Sequence, residues 1–297
     1  DLDIGMTVID PKTGYIKAMV GGRDYNRVED DGSVLHINHA TSRNQPGSSF
    51  KTFTLATAIE MGMNPNITIN CNSPLTWKIA GQADYVAQNY GNQSMGYISL
   101  ARATELSSNT GYAQVVMAVG VDKLIETAHL MGIDSDLQSV PSLVLGSSGV
   151  TPLEMCEAYS VFATNGVHRD AIAITKIEDR NGNTVYEHEN DPEQVIDEGV
   201  AQDAREVLEG VVDAGYTTSY VHRYFTANQP VGGKTGTSDK ADNLWFCGFT
   251  PQLTTTVWCG NRDNNQAAHY KGALASTPTT AQPIWTDYMN TVLKGLD

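Results

Sequence analysis

Positive charge is scarce in this chain. Against 34 aspartates and glutamates stand 19 lysines and arginines, which leaves a formal net charge of −15 over 297 residues. With no basic stripe to neutralise phosphates, the composition disfavours nucleic acid as a partner. Long apolar runs are missing as well: nothing approaches the roughly 20 residues that a membrane-spanning helix needs. The four cysteines, Cys71, Cys156, Cys247 and Cys259, show no C-x-x-C spacing, which removes the common zinc and thioredoxin-type sites. Cys156 falls in a helical pattern and reads as a buried thiol. Cys247 and Cys259 lie on two strand-like runs, and a disulfide between them stays open. Seven histidines contain no His-Glu-x-x-His ligand pair, and His36 with His39 reads as loop residues. No Gly-x-Ser-x-Gly elbow marks a hydrolase serine.

What is present suits a packed globular chain, with 40% hydrophobic residues. Ile4 to Ile9 and Tyr15 to Val20 read as a hairpin across the turn formers Asp10-Pro11-Lys12-Thr13-Gly14. Gln45-Pro46-Gly47 breaks the chain just before Ser48, and Phe50, Phe53, Leu55, Ala58 and Ile59 suit a buried helix whose N-terminus holds that serine. From about residue 66 to 166 the pattern is mostly helical. Strands are expected again at Ala171 to Ile177 and Thr184 to Tyr186, then at Leu244 to Phe249 and Thr254 to Trp258. A last helix shows Ala281, Ile284, Trp285, Tyr288, Met289, Val292 and Leu293 on one face. Strands at both ends with helices between predict an α+β fold: a central antiparallel sheet flanked by helices, with a mostly helical subdomain. Residues 1–65 and 166–297 are expected to form the sheet-containing part and 66–165 the helical insertion.

Without a marked histidine, serine chemistry needs another base, and a lysine can serve when burial or a neighbouring cation favours its neutral amine. Ser48 and Lys51 stand at i, i+3, a spacing that places both on one helix face. Two further short elements recur in the chain. Lys-Thr-Gly occurs at Lys12 and Lys234, and Ser-x-Asn at Ser42 and Ser107. Lys12 falls in a hairpin turn, and Ser42 lies too close to Ser48 to form a separate wall. That leaves Ser107-Ser108-Asn109, on a loop of the helical insertion, and Lys234 in the Gly-rich, strand-like run Val231 to Ser238.

S-x-x-K, S-x-N and K-T-G in this order are a signature of penicillin-interacting serine enzymes. The chain resembles the penicillin-binding proteins, and within them the transpeptidase domain of the bifunctional, class A type. Carrying the resemblance are Arg43-Asn44-Gln45-Pro46-Gly47-Ser48-Ser49-Phe50-Lys51, Ser107-Ser108-Asn109-Thr110 and Gly233-Lys234-Thr235-Gly236-Thr237-Ser238. Three further runs, Ala18 to Tyr25, Val150 to Met155 and Trp245 to Pro251, support it. The resemblance implies a peptidoglycan D,D-transpeptidase that attacks the D-Ala-D-Ala end of a stem peptide, releases D-Ala and passes the acyl group to a neighbouring stem's amine; β-lactams would acylate the same serine. It assigns Ser48 as nucleophile, Lys51 as base, Ser107 as proton relay, Asn109 as a substrate-amide partner and Lys234 as a positive charge that keeps Lys51 neutral. Thr235, Gly236, Thr237 and Ser238 form the substrate-binding run, and the backbone N–H groups of Ser48 and Thr237 the oxyanion hole. No metal or organic cofactor is expected.

The resemblance also implies an extracytoplasmic domain held to the bacterial cytoplasmic membrane by an anchor outside these residues, with other cell-wall synthesis proteins as potential partners. Two positions depart from the pattern: Thr52 stands where a proline often follows the lysine, and Asp213 to Thr217 lacks the usual Gly-Thr-Gly. Rival readings are a D,D-carboxypeptidase, which differs in whether water or an amine attacks the acyl-enzyme, and a β-lactam sensor that does not turn over. A penicillinase would need a Glu-x-x-Leu-Asn segment, which is absent between Asn109 and Lys234; Glu154 and Glu157 read as structural.

Overall fold

A computed structural model describes residues 2–296 apart from 27, 29–31, 33, 35, 79, 80, 82 and 262–265. Five strands build the main sheet: β1 (Leu2–Ile9), β2 (Ile16–Val20), β3 (Gly232–Thr237), β4 (Asn243–Phe249) and β5 (Thr254–Asn261), in the antiparallel order β3-β4-β5-β1-β2. The first hairpin closes as its turn formers predict. Asp10 accepts from the N–H of Lys12 through its side chain, and Gly14 supplies a φ of +75° that an L side chain rarely adopts. The sheet thus joins the two ends of the sequence.

Among the described residues eight helices accompany it: α1 (Lys51–Glu60), α2 (Leu100–Glu105), α3 (Asn109–Val119), α4 (Val121–Leu130), α5 (Pro152–Ala163), α6 (Glu198–Ala214), α7 (Ser219–Tyr224) and α8 (Ala281–Val292). Their ends follow local chemistry. A capping box between Thr151 and Glu154, with Pro152 at the first helical position, starts α5, and Gly215 in the left-handed region ends α6.

Every residue of β4 is buried, because both faces of the sheet are covered. Trp245, Cys247, Phe249 and Trp258 point into a core shared with α1, α3, α4, α5 and α6. Leu244, Phe246, Val257 and Cys259 point the other way, into a core closed by Trp285 and Met289 of α8. Trp285 also donates from Nε1 to the carbonyl of Thr255 at 3.0 Å, which fixes α8 against the sheet.

Two expectations need correction, and the question of a disulfide, left open by the sequence, is answered. All four cysteines are free, and the register explains why Cys247 and Cys259 do not bond: Cys247 lies opposite Thr256 while Cys259 lies opposite Leu244. The strand expected at Ala171 to Ile177 is confined to Lys176–Glu178, which pairs with Thr184–Glu187 in an exposed hairpin; Ile172 makes only a lone parallel bridge to Tyr15. The helical middle of the chain also carries two short strand pairs, Thr68–Asn70 with Tyr97–Ser99 and Leu75–Trp77 with Tyr85–Ala87.

Candidate active site

Ser48 lies in a tight turn, Gly47–Phe50, that runs directly into α1. Gly47 adopts a φ of +55°, and a Cβ there would meet the carbonyl oxygen of Thr237 at 2.5 Å, so glycine is what lets the serine turn lie against β3. Gly236 faces the Pro46 carbonyl and Gly146 faces the Gly47 backbone with equally little room. Asn44 and Val150 exchange backbone hydrogen bonds of 2.9 and 3.0 Å, and Trp245 donates from Nε1 to the Gln45 carbonyl at 2.8 Å. The approach to Ser48 is therefore held from both sides.

Lys51, one turn on, aims its Nζ at four oxygens. It donates to Ser48 Oγ at 3.0 Å, Ser107 O at 2.7 Å, Ser107 Oγ at 3.3 Å and Asn109 Oδ1 at 2.7 Å. Lys234 Nζ donates to the same Ser107 Oγ at 2.9 Å and to Thr235 O at 3.2 Å. Ser107 sits between α2 and α3 in the left-handed region, φ +55°, a conformation that a serine holds only where its surroundings fix it. Stretches from the start, middle and end of the chain thus meet at one hydroxyl.

Both lysines are fully buried, and among the described residues no carboxylate is a hydrogen-bond partner of either. Burial, and after it the charge of Lys234, pushes the Lys51 ammonium well below its usual 10.5. Burial alone lowers Lys234 to about 7. A neutral amine 3.0 Å from a serine hydroxyl can accept its proton as that oxygen attacks a carbonyl.

Along β3, Thr237 is exposed and Thr235 nearly buried beside the cleft. Ser238, the last residue of the run expected to bind substrate, has its hydroxyl engaged within the protein. Its Oγ donates to Asp242 and accepts from the N–H of Asn243, so the hydroxyl is taken up in the β3–β4 connection.

Two residues that sequence reasoning passed over support the cleft from behind. Tyr159 of α5 donates its hydroxyl to the Ser49 carbonyl at 2.7 Å and lies 2.7 Å from Thr52 Oγ1, the position that departs from the proline pattern. Asn89 lies behind Ser108 and Asn109. Asn89 belongs to no spacing motif, and the helical spacing of Leu153, Cys156, Tyr159 and Phe162 marks Tyr159 only as a residue of a packed helix face. Among the described residues one group, Glu157, His168 and Asp170, brings potential metal-ligand atoms within 4.8 Å of one another. Both Glu157 oxygens are already engaged, by His168 Nε2 and by the N–H of Ala171, so an ion pair accounts for the arrangement. Glu154 caps α5 and binds Ser135, a structural role.

The family model for the penicillin binding protein transpeptidase domain matches residues 4–285. Among curated relatives, penicillin-binding protein 2D of Bacillus subtilis is 33% identical over 99% of this chain and 42% of its own length. Penicillin-binding protein 1A of Aquifex aeolicus is 32% identical over 99% of this chain and 38% of its own. The chain thus spans less than half the length of these relatives. Among solved structures, PonA1 of Mycobacterium tuberculosis in complex with penicillin V superposes with a TM-score of 0.86 at 25% identity, covering 100% of this chain and 79% of that one. Penicillin-binding protein 1A of Haemophilus influenzae gives 0.88 at 25% identity, covering 100% of this chain and 48% of that one.

Proposed function

The chain belongs to the penicillin-binding protein transpeptidase family, and from that premise we propose that it is a peptidoglycan D,D-transpeptidase working through an acyl-enzyme on Ser48. One observation carries the reading: Ser48 Oγ, Lys51 Nζ, Ser107 Oγ and Lys234 Nζ form an unbroken chain of hydrogen bonds at 3.0, 3.3 and 2.9 Å. Ser48 Oγ attacks the carbonyl carbon of the penultimate D-Ala while neutral Lys51 takes its proton. The developing oxyanion is held by the N–H groups of Ser48 and Thr237. As the tetrahedral intermediate collapses, the C–N bond breaks and Ser107 hands a proton to the departing D-Ala nitrogen, replenished through the lysines. An acceptor amine then attacks the ester, and the same relay runs backward to restore the Ser48 hydroxyl.

In this reading Asn109 orients the substrate amide, and Thr235 and Thr237 receive the terminal carboxylate on the side where Lys234 supplies positive charge. Gly236 leaves the strand free to lie against the serine turn. Residues 66–165 act as the helical insertion that brings Ser107 and Asn109 to the sheet-containing part formed by 1–65 and 166–297. The substrate places the domain outside the cytoplasmic membrane, and β-lactams are its inhibitors.

Intact mass is expected to rise by one penicillin adduct in the native protein and to stay unchanged in Ser48→Ala; labelling that survives this substitution refutes the assignment. Release of D-Ala from a depsipeptide or thioester donor, with and without an acceptor amine, separates the activities. Product carrying the acceptor supports transpeptidation, release to water alone a carboxypeptidase, and no release at all a sensor.

A further inference from the structure

Asn89 is buried, 3% exposed, and its hydrogen bonds do not include Ser48, Lys51, Ser107 or Lys234. Its side chain nevertheless gathers the segment that follows Ser107. The single Oδ1 accepts from the N–H of Asn109 at 2.8 Å, the N–H of Thr110 at 3.1 Å, Ser108 Oγ at 3.1 Å and Thr110 Oγ1 at 3.2 Å. Its Nδ2 donates to the carbonyls of Cys71 and Gln93, both at 2.9 Å. A carbonyl oxygen has two lone pairs, so four donors around one oxygen are an unusual concentration for a side chain remote in sequence. The first N–H groups of α3, which no helix satisfies internally, are taken by this distant amide; Ser108 Oγ accepts the next, from Gly111.

The neighbouring residue completes the clamp. The Gln88 carbonyl accepts from Asn109 Nδ2 at 2.8 Å, which decides which end of that amide faces the cleft, and Asn109 Oδ1 is left to meet Lys51 Nζ at 2.7 Å. Upstream, the Ser107 and Ser108 N–H groups bond to Thr104 and Ala103. Ser107, at φ +55°, therefore stands between a turn anchored by α2 and a helix start anchored by Asn89. If the second anchor relaxes, the α3 side no longer fixes Ser107 Oγ at its distances from both amines.

We infer that Asn89 is a positioning residue for acyl transfer: by holding the start of α3 it fixes Ser107 and Asn109 against Lys51 and Lys234. The inference rests on the Ser48 acyl-enzyme reading and adds to it a residue outside the three motifs. Helix capping alone would give Asn89 a stabilising role with no effect on the chemical step, and the two roles separate kinetically.

The test is stopped-flow acylation by a fluorescent penicillin, resolved into the pre-covalent dissociation constant and the acylation rate constant, at a temperature where circular dichroism shows each variant folded. Asn89→Ala is expected to lower the acylation rate constant by on the order of tenfold or more, as small misplacements of reacting groups do, with a much smaller change in the dissociation constant. Asp197→Ala, which removes the cap of α6, lowers stability and leaves acylation at the native rate. If Asn89→Ala does not fold, Asn89→Ser, whose shorter hydroxyl cannot span all four donors, is judged by the same criterion. A native acylation rate constant in the alanine or serine variant, or a loss confined to the dissociation constant, overturns the inference. Native protein that is not labelled at Ser48 overturns the acyl-enzyme reading and this inference with it, whereas labelling at Ser48 with native rates in the Asn89 variants overturns this inference alone.

Discussion

Lys234 is a fully buried lysine with no carboxylate partner among the described residues, and such a group costs stability whenever it carries its charge. Its folded value of about 7 lies below the usual 10.5, so between those limits the unfolded chain binds more protons than the folded one and stability rises with pH. The cost is fully present below about pH 7 and fades as pH climbs toward 10.5. Lys234→Met is therefore expected to raise the thermal midpoint in mildly acidic buffer, by an amount equivalent to a few kcal/mol at most, with the gain shrinking toward pH 10; a flat difference across that range would contradict it. The same substitution withdraws one of the forces that depress Lys51. Acylation by penicillin should rise with pH as Lys51 loses its proton, and in Lys234→Met this rising limb should move to higher pH, on top of a rate loss of about a hundredfold from the missing charge. Rate against pH for the two proteins checks the direction.

At the scale of elements, the cleft depends on how closely the Ser48 turn and β3 approach. A Cβ at Gly236 would run into the Pro46 carbonyl, which belongs to backbone and cannot swing aside. Gly236→Ala should force β3 away from the turn, destabilise the fold by about 1–3 kcal/mol and cut acylation steeply. Gly182→Ala offers the contrast: its φ of +82° strains an alanine, yet nothing lies within 4 Å, so stability falls slightly while labelling stays native. Equal labelling in both variants would argue against a close-approach role for Gly236. Short-range signals made much of this geometry legible. The i, i+3 spacing of Ser48 and Lys51, the breaker before Ser48 and the hairpin turn at Asp10 to Gly14 are local, and each element formed where its turn or helix pattern put it. Register was not legible. Both strands of the β4–β5 hairpin could be read, but only the close at Phe249 and Thr254 sets which residues face one another, and that offset parts Cys247 from Cys259. Four thiols should accordingly react in denaturant and nearly none in the native protein, and reductant should leave the melting midpoint unchanged. The roles of Asn89 and Tyr159 escaped the sequence for a related reason: their bonds to the Cys71 and Ser49 carbonyls and to the Asn109 and Thr110 N–H groups run to main-chain atoms of remote segments, which no side-chain spacing records.

Over the whole molecule the sheet is a shared wall. Successive residues of β4 alternate between two cores: Leu244 and Phe246 face α8, while Trp245, Cys247 and Phe249 face α1 and α5. Neither side can open without exposing large buried side chains of the same strands, Trp245 and Trp258 on one face and Phe246 on the other. Loss of either helical layer removes apolar contacts that the sheet needs to stay assembled, which couples the two cores even though they bury different residues. One cooperative transition is therefore expected, seen alike by tryptophan fluorescence and far-ultraviolet circular dichroism, with penicillin labelling of Ser48 lost along the same curve because the cleft draws on both the helical insertion and β3. Phe162→Ala, in the α5 layer, and Trp285→Ala, in the α8 layer, each remove a fully buried aromatic and should each lower that single midpoint, at a cost of about 3–5 kcal/mol. If instead the helical insertion is an independent unit, the curve divides in two, Phe162→Ala moves only one part, and labelling follows that part while α8 remains folded on the sheet.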